Sequence, residues 1–216
     1  MTKVLITGGG GDIARAIVAE LETEGGYEVY APGRDELDVT DWGSIEAVLR
    51  RFSPDVLVNN AGYVFSGSIK QADLFDIKKH LDVNLGGTFY CTALALRQNP
   101  NVSIVNIGSS AATKIHADWS EYCAAKAAVV MATKCWAEDG LYAVVVSPGR
   151  TKTKMRKELY PDEDESTLML PKDFAKVVVK AIRRDYPSGS HVNVHKEDVE
   201  ILLRGSCGIQ SGKAGL

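Results

Sequence analysis

The stretch that decides the fold is "VLITGGGGDIARAI", residues 4–17. An apolar run leads into four consecutive glycines. Apolar residues then recur at Ile13, Ile17, Val18 and Leu21, which is helical spacing. The pattern predicts a buried strand, a tight loop and an amphipathic helix. Gly9, Gly11 and Ala14 satisfy the G-x-G-x-x-G/A fingerprint of a dinucleotide cradle. Glycines let the backbone approach a pyrophosphate, and the amides at the helix start supply the donors. The expected cofactor contacts here are Gly8, Gly9, Gly11, Asp12 and Ile13. A carboxylate beside a pyrophosphate repels it unless it is otherwise engaged. Because the periodicity begins at Ile13, Asp12 is read as the helix cap.

Strand-like runs recur outward from this stretch: "YEVYA" (27–31), "DVLVNN" (55–60), "SIVNIGS" (103–109), "YAVVVSP" (142–148) and "HVNVH" (191–195). Several are apolar at consecutive positions, as in strands buried on both faces. Helical patterns alternate with them at 12–25, 41–52, 72–98, 119–140 and 171–185, the 72–98 run being either a pair of helices or one bent helix. Alternation of this kind predicts α/β architecture, a doubly wound parallel sheet with helices on both faces, or Rossmann fold. A single domain over 1–204 follows, with a flexible C-terminal tail at 205–216 and a mobile loop at "YPDEDEST", 160–167.

Of the 216 residues, 45% are hydrophobic and 25% charged, and the net charge is −3. That balance gives no reason to expect nucleic acid or an anionic membrane as partner. No apolar run reaches the 18 or so residues of a membrane span, and no signal-peptide pattern precedes the first strand. Cys91, Cys123, Cys135 and Cys207 lack metal-ligand spacing, so no metal is expected. They are read as reduced thiols of a cytoplasmic protein.

The tip of the second strand reads Ala31–Pro32–Gly33–Arg34. A carboxylate there would suit the ribose hydroxyls of NAD, whereas an arginine suits the 2′-phosphate of NADP. Arg34 therefore favours NADP(H), with NAD(H) possible because Asp35 follows directly.

The chain resembles the short-chain dehydrogenase/reductase family over nearly all of 3–195. The motifs are "TGGGGDIA" (7–14), "LDV" (37–39), "NNAG" (59–62), Asn84, "YCAAK" (122–126) and "SPGRTKT" (147–153), in the family's order. The resemblance implies that Asp38 and Val39 flank adenine and that Asn60, Ala61 and Gly62 line the cofactor groove. It also implies that Pro148, Gly149, Thr151 and Thr153 hold the nicotinamide end. The implied catalytic residues are Asn84, Ser109, Tyr122 and Lys126, of which Tyr122 and Lys126 also touch the cofactor. Ser109 lies thirteen residues before Tyr122, as in the family. There are departures: Asp12 and Ala14 replace glycines. The chain is also some tens of residues shorter than a typical member, with a trimmed segment between Lys126 and Pro148.

The implied activity is hydride transfer between nicotinamide and a carbonyl or secondary alcohol, with Tyr122 as acid or base. Tyr122 and Lys126 share one helix face at a spacing of four. A nearby ammonium favours the phenolate, and lowering a tyrosine pKa by about three units takes roughly 4 kcal/mol. Ser109 would hold the substrate oxygen, and Asn84 would position a relay water. The substrate is expected near His116 and Trp119, with "RTKTKMRKELY" (150–160) either a solvated face or an attractor of anions. Small apolar residues on 119–137 suggest a homodimer or homotetramer. Two other readings stand beside this one. The first is a catalytically silent NAD(P)-binding regulator, and the second a sugar-nucleotide epimerase or reductase, which "GRDELDVTDWGSIEAVLRRFSPDVLVNNAGY" (33–63) resembles.

Overall fold

A computed structural model describes residues 1–204. The tail expected from Gly205 and the thiol of Cys207 lie outside the described residues. Six strands form one all-parallel sheet: β1 (Thr2–Ile6), β2 (Tyr27–Tyr30), β3 (Val56–Asn59), β4 (Ser103–Ile107), β5 (Ala143–Pro148) and β6 (His191–Val194). Their spatial order is β2-β1-β3-β4-β5-β6. The central strands β3 and β4 are buried at every position, which explains their unbroken apolar sequence.

Helices cover both faces. On one side α1 (Asp12–Glu24) and α7 (Pro171–Ile182) pack together over Val4, Ile6, Val58, Val144 and Val146. On the other, α2 (Trp42–Phe52) and α4 (Gly87–Gln98) close over Leu5, Leu57, Ile104 and Ala143. The apolar stripe of α2 (Ile45, Val48, Leu49 and Phe52) is what docks it, and Asp41 caps it by accepting from the Gly43 amide at 2.9 Å.

The helical run at 72–98 is one bent path. α3 (Leu74–Leu81) passes through a π-helical turn, Asp82–Gly86, into α4. Such turns insert an extra residue and re-aim the side chains they carry; here the buried one is Asn84. The long helix α5 (Ser120–Glu138) then leads to β5. Two short helices, α6 (Lys154–Leu159) and α8 (Val199–Arg204), were not expected from the sequence, being too short to show periodicity.

The chain leaves β1 for β2 on one side and returns to β3 on the other. This reversal opens a crevice at the carboxyl ends of β1 and β3, where open α/β sheets bind ligands. The glycine loop and "NNAG" both begin there.

Candidate active site

Thr7 and Asn60 build the crevice. The Thr7 hydroxyl accepts from the Asn60 and Ala61 amides at 3.0 and 2.9 Å, and Asn60 Nδ2 donates back to the Thr7 carbonyl at 2.9 Å. The loops after β1 and β3 are thereby tied together. Asn59 faces the opposite way, into a buried network with Thr92 and Asn106.

The four glycines have different reasons to be glycine. Gly8 has φ +69°, a left-handed backbone. Gly9 approaches β2 so closely that a Cβ would lie 1.9 Å from the Ala31 oxygen. It packs beneath the crevice and does not line it. Gly10 and Gly11 face the cavity, and a Cβ on Gly10 would meet nothing. Gly10 was missed because the fingerprint spacing assigned the cradle to its neighbours.

Asp12 does not cap its helix. Gly11 occupies the cap position, and Asp12 is the first helical residue. Its Oδ2 accepts instead from the Lys154 amide at 2.6 Å, across the cavity. Periodicity placed the helix start one residue late.

The cavity has a volume of about 710 Å³. One end is bounded by Arg34, Leu37, Asp38 and Val39, the other by Tyr122, Lys126, Pro148 and Thr153. Gly8, Gly11, Asp12 and Ile13 form one wall and Asn60, Ala61 and Gly62 another. Tyr63, Val64, Lys79 and Val83 also face it, together with Arg15 and, from α6, Lys154, Met155 and Glu158. These additional residues lie outside any motif, so nothing in the sequence marked them. Gly149 and Thr151 support the site from beneath. A Cβ on Gly149 would lie 2.5 Å from His195 Nδ1, and the buried Thr151 donates to the Gly149 carbonyl at 3.1 Å.

Arg34 pairs with Asp38 at 3.2 Å while remaining largely exposed. Burial raises the Asp38 pKa, but hydrogen bonds from Thr40 and Arg34 outweigh it and hold the carboxyl below its usual range.

At the other end, the Ser109 side chain lies beside the Tyr122 phenol. Its Oγ also accepts from the Ala111 amide at 3.1 Å, which fixes its position. Burial raises the Tyr122 pKa, and the serine contact opposes the rise. Lys126 is 5% exposed and donates to the Ile107 carbonyl at 3.0 Å. Its ammonium lies 5.8 Å from the Tyr122 ring centroid, and burial lowers its pKa to about 8. Trp119 meets Tyr122 edge-on at 5.6 Å and stacks on His116 at 5.1 Å, beside Tyr160.

Asn84 is fully buried. Its amide donates to the carbonyls of Tyr63 at 2.7 Å and His80 at 3.0 Å, and Oδ1 accepts from the Tyr63 amide at 3.2 Å. Both amide hydrogens are thus spent on main-chain groups. The side chain orders the segment after "NNAG", and no hydrogen of it is left for a relay water.

The basic stretch at 150–157 is braced by acidic residues that follow it. Glu163 accepts from Arg156 at 2.5 and 2.7 Å and from Arg150 at 3.3 Å, while Glu165 pairs with Lys152 at 2.8 Å and Lys157 at 3.2 Å. The arginine contacts hold Glu163 below the usual carboxylate range. Four of its cations are thus braced by two carboxylates of the same segment, while Lys154 lines the cavity.

Among the described residues no group of His, Cys, Asp and Glu could hold a metal, and no helix is long and apolar enough to cross a membrane.

A family model described as short chain dehydrogenase matches residues 34–164. A 3-oxoacyl-acyl-carrier-protein reductase of Vibrio cholerae is 30% identical over 194 residues, 76% of this chain and 79% of that protein. A dTDP-4-dehydrorhamnose reductase of Aggregatibacter actinomycetemcomitans is 35% identical over 99 residues. That match covers 46% of this chain and about a third (32%) of the reductase. Among solved structures, a short chain dehydrogenase from Burkholderia cenocepacia in complex with NADP superposes with a TM-score of 0.79 at 25% identity, covering 90% of this chain and 96% of the other.

Proposed function

Because the chain belongs to the short-chain dehydrogenase/reductase family, and is an NAD(P)-dependent oxidoreductase of that type, we propose that Tyr122 is the proton donor and acceptor of its reaction. The pairing of Tyr122 with Lys126 carries this reading, because both line the cavity and the ammonium lies 5.8 Å from the phenol ring. The cavity fits a dinucleotide. It is elongated between Arg34 and Tyr122, and Gly10 presents bare backbone to it although no protein neighbour requires a glycine there. When bound, the nicotinamide cofactor supplies or takes up the hydride, an electron pair with its proton.

The chain's residues handle the other proton. In reduction, Tyr122 gives its phenolic proton to the carbonyl oxygen as the carbon gains hydride, leaving an alcohol and a phenolate. The raised pKa of Tyr122 keeps the phenol protonated and ready as an acid. Ser109 donates to the oxygen that bears charge during transfer. The Lys126 ammonium favours the phenolate left behind. Oxidation runs the same steps backwards with Tyr122 as base.

The exposed Arg34 supports a preference for NADP(H) over NAD(H), by placing a guanidinium at the adenosine end; the Burkholderia structure has NADP bound. Trp119 packs edge-on against Tyr122, and His116 and Tyr160 pack against Trp119, an aromatic surface that supports a small-molecule carbonyl or alcohol docking there. Among the described residues Cys91, Cys123 and Cys135 are free thiols, which supports a reducing compartment. Phe89, Met131 and Trp136 on α4 and α5 support self-association through these helices.

Titration with NADPH and NADH, followed by a panel of ketones that includes dTDP-4-dehydrorhamnose, tests the proposal. Saturable binding with ketone-dependent oxidation of the bound cofactor is the expected result. Binding of neither cofactor would overturn it.

A further inference from the structure

We infer that Asp12 is a positioning residue, a clasp that fastens the lid at 150–169 across the cavity and slows cofactor release. The inference rests on the dinucleotide reading of the cavity.

The lid is a unit of its own. Its base is closed by main-chain hydrogen bonds, Lys152 to Met169 and Met169 to Arg150, both 2.9 Å. Glu163 and Glu165 brace its interior against Arg150, Lys152, Arg156 and Lys157. Among the described residues, the hydrogen bond that crosses from this lid to the glycine loop is the one from the Lys154 amide to Asp12 Oδ2, at 2.6 Å. Asp12 and Lys154 both line the cavity. The bond therefore ties the lid to the glycine-loop side of the cavity.

This arrangement accounts for a carboxylate in a phosphate cradle. Asp12 faces a main-chain donor at charge-assisted distance, so its negative charge is engaged by the lid. A lid braced internally and tied at its base keeps its own shape when the clasp opens. Breaking the clasp frees its attachment without unfolding it. The expected consequence is kinetic, since among the described residues this bond is the one that ties the lid to the glycine loop.

Two pairs of variants separate the bond from its surroundings. Asp12→Ala removes the acceptor, whereas Asp12→Asn keeps an acceptor oxygen and removes the charge. Lys154→Pro removes the donor, whereas Lys154→Ala keeps it and loses only the side chain. Proline suits this position: Lys154 is the first residue of α6, and Thr153 before it has φ −130° and ψ 158°, as a pre-proline residue requires.

The experiment is residue-resolved hydrogen exchange at the Lys154 amide in the cofactor-free protein, with stopped-flow measurement of NADPH release. Exchange at Lys154 should rise about fivefold in Asp12→Ala and stay slow in Asp12→Asn. NADPH release should be about fivefold faster in Asp12→Ala and Lys154→Pro. Release from Asp12→Asn should be no faster than from the parent, and the amide at position 154 should stay slow to exchange in Lys154→Ala. Equal exchange in the parent and Asp12→Ala would overturn the clasp. So would parental release from Lys154→Pro, or a common loss of thermal stability with release unmoved. Failure of the parent to bind either cofactor would refute the dinucleotide reading instead, and with it the kinetic role, while the exchange result would still report whether the clasp exists.

Discussion

The Lys126 ammonium lies 5.8 Å from the Tyr122 ring centroid, yet it spends a hydrogen bond on the Ile107 carbonyl at 3.0 Å. The carbonyl fixes the lysine in place, and its proximity to the phenol is electrostatic in effect. Burial lowers the Lys126 pKa from 10.5 to about 8.

Burying a lysine that ionises less readily than in the unfolded chain costs stability while it stays charged. The unfolded state binds the proton more tightly, so stability rises as pH increases from about 8 toward 10.5. The cost is full below pH 8 and is on the order of 3 kcal/mol. Lys126→Met should therefore stabilise the protein near pH 7, with the difference from the parent shrinking toward pH 10.5. Urea unfolding of both proteins across this range checks it; a constant difference would contradict the burial argument.

Gly9 and Gly10 are adjacent but should behave oppositely. Gly9→Ala drives a Cβ to within 1.9 Å of the Ala31 oxygen and should cost about 3 kcal/mol of stability. Gly10→Ala meets nothing within 4 Å, so it should melt like the parent and lose cofactor affinity. Denaturant melts and NADPH titration on both variants separate the two roles.

Arg34 is paired with Asp38 but keeps most of its surface in solvent. Arg34→Ala should lower NADPH affinity about tenfold with little change for NADH. An unchanged affinity ratio, read by fluorescence titration, would refute the preference for NADP(H).

The strand positions were legible because fully buried parallel strands leave unbroken apolar runs such as "DVLVNN", and β3 appeared there. Tyr122, Lys126 and Arg34 all line the cavity, and local spacing within a helix or at a strand tip marks each of them in the sequence. What escaped was non-local. The partner of Asp12 is 142 residues away in sequence, and no local pattern reports such a contact. The pairing of the 150–157 cations with Glu163 and Glu165 likewise needs the lid to fold back on itself. Asn84 was found, but its service to the Tyr63 backbone was not, because motifs name residues and leave out where their hydrogens go.

The outward surface of α5 carries Met131 at 62% exposure, and Phe89 of α4 is 41% exposed. If these helices join two copies, Met131→Glu should shift the sedimentation coefficient from that of an oligomer to that of a monomer. A parent that already sediments as a monomer would refute the association.

The central claim is that Tyr122 moves the proton while other residues hold the cofactor. The direct measurement is single-turnover oxidation of bound NADPH by a reducible ketone, comparing the parent with Tyr122→Phe at matched cofactor occupancy. Near-parental NADPH affinity for Tyr122→Phe and a rate lower by about 10²–10⁴-fold are expected. Turnover by Tyr122→Phe at the parental rate would contradict it.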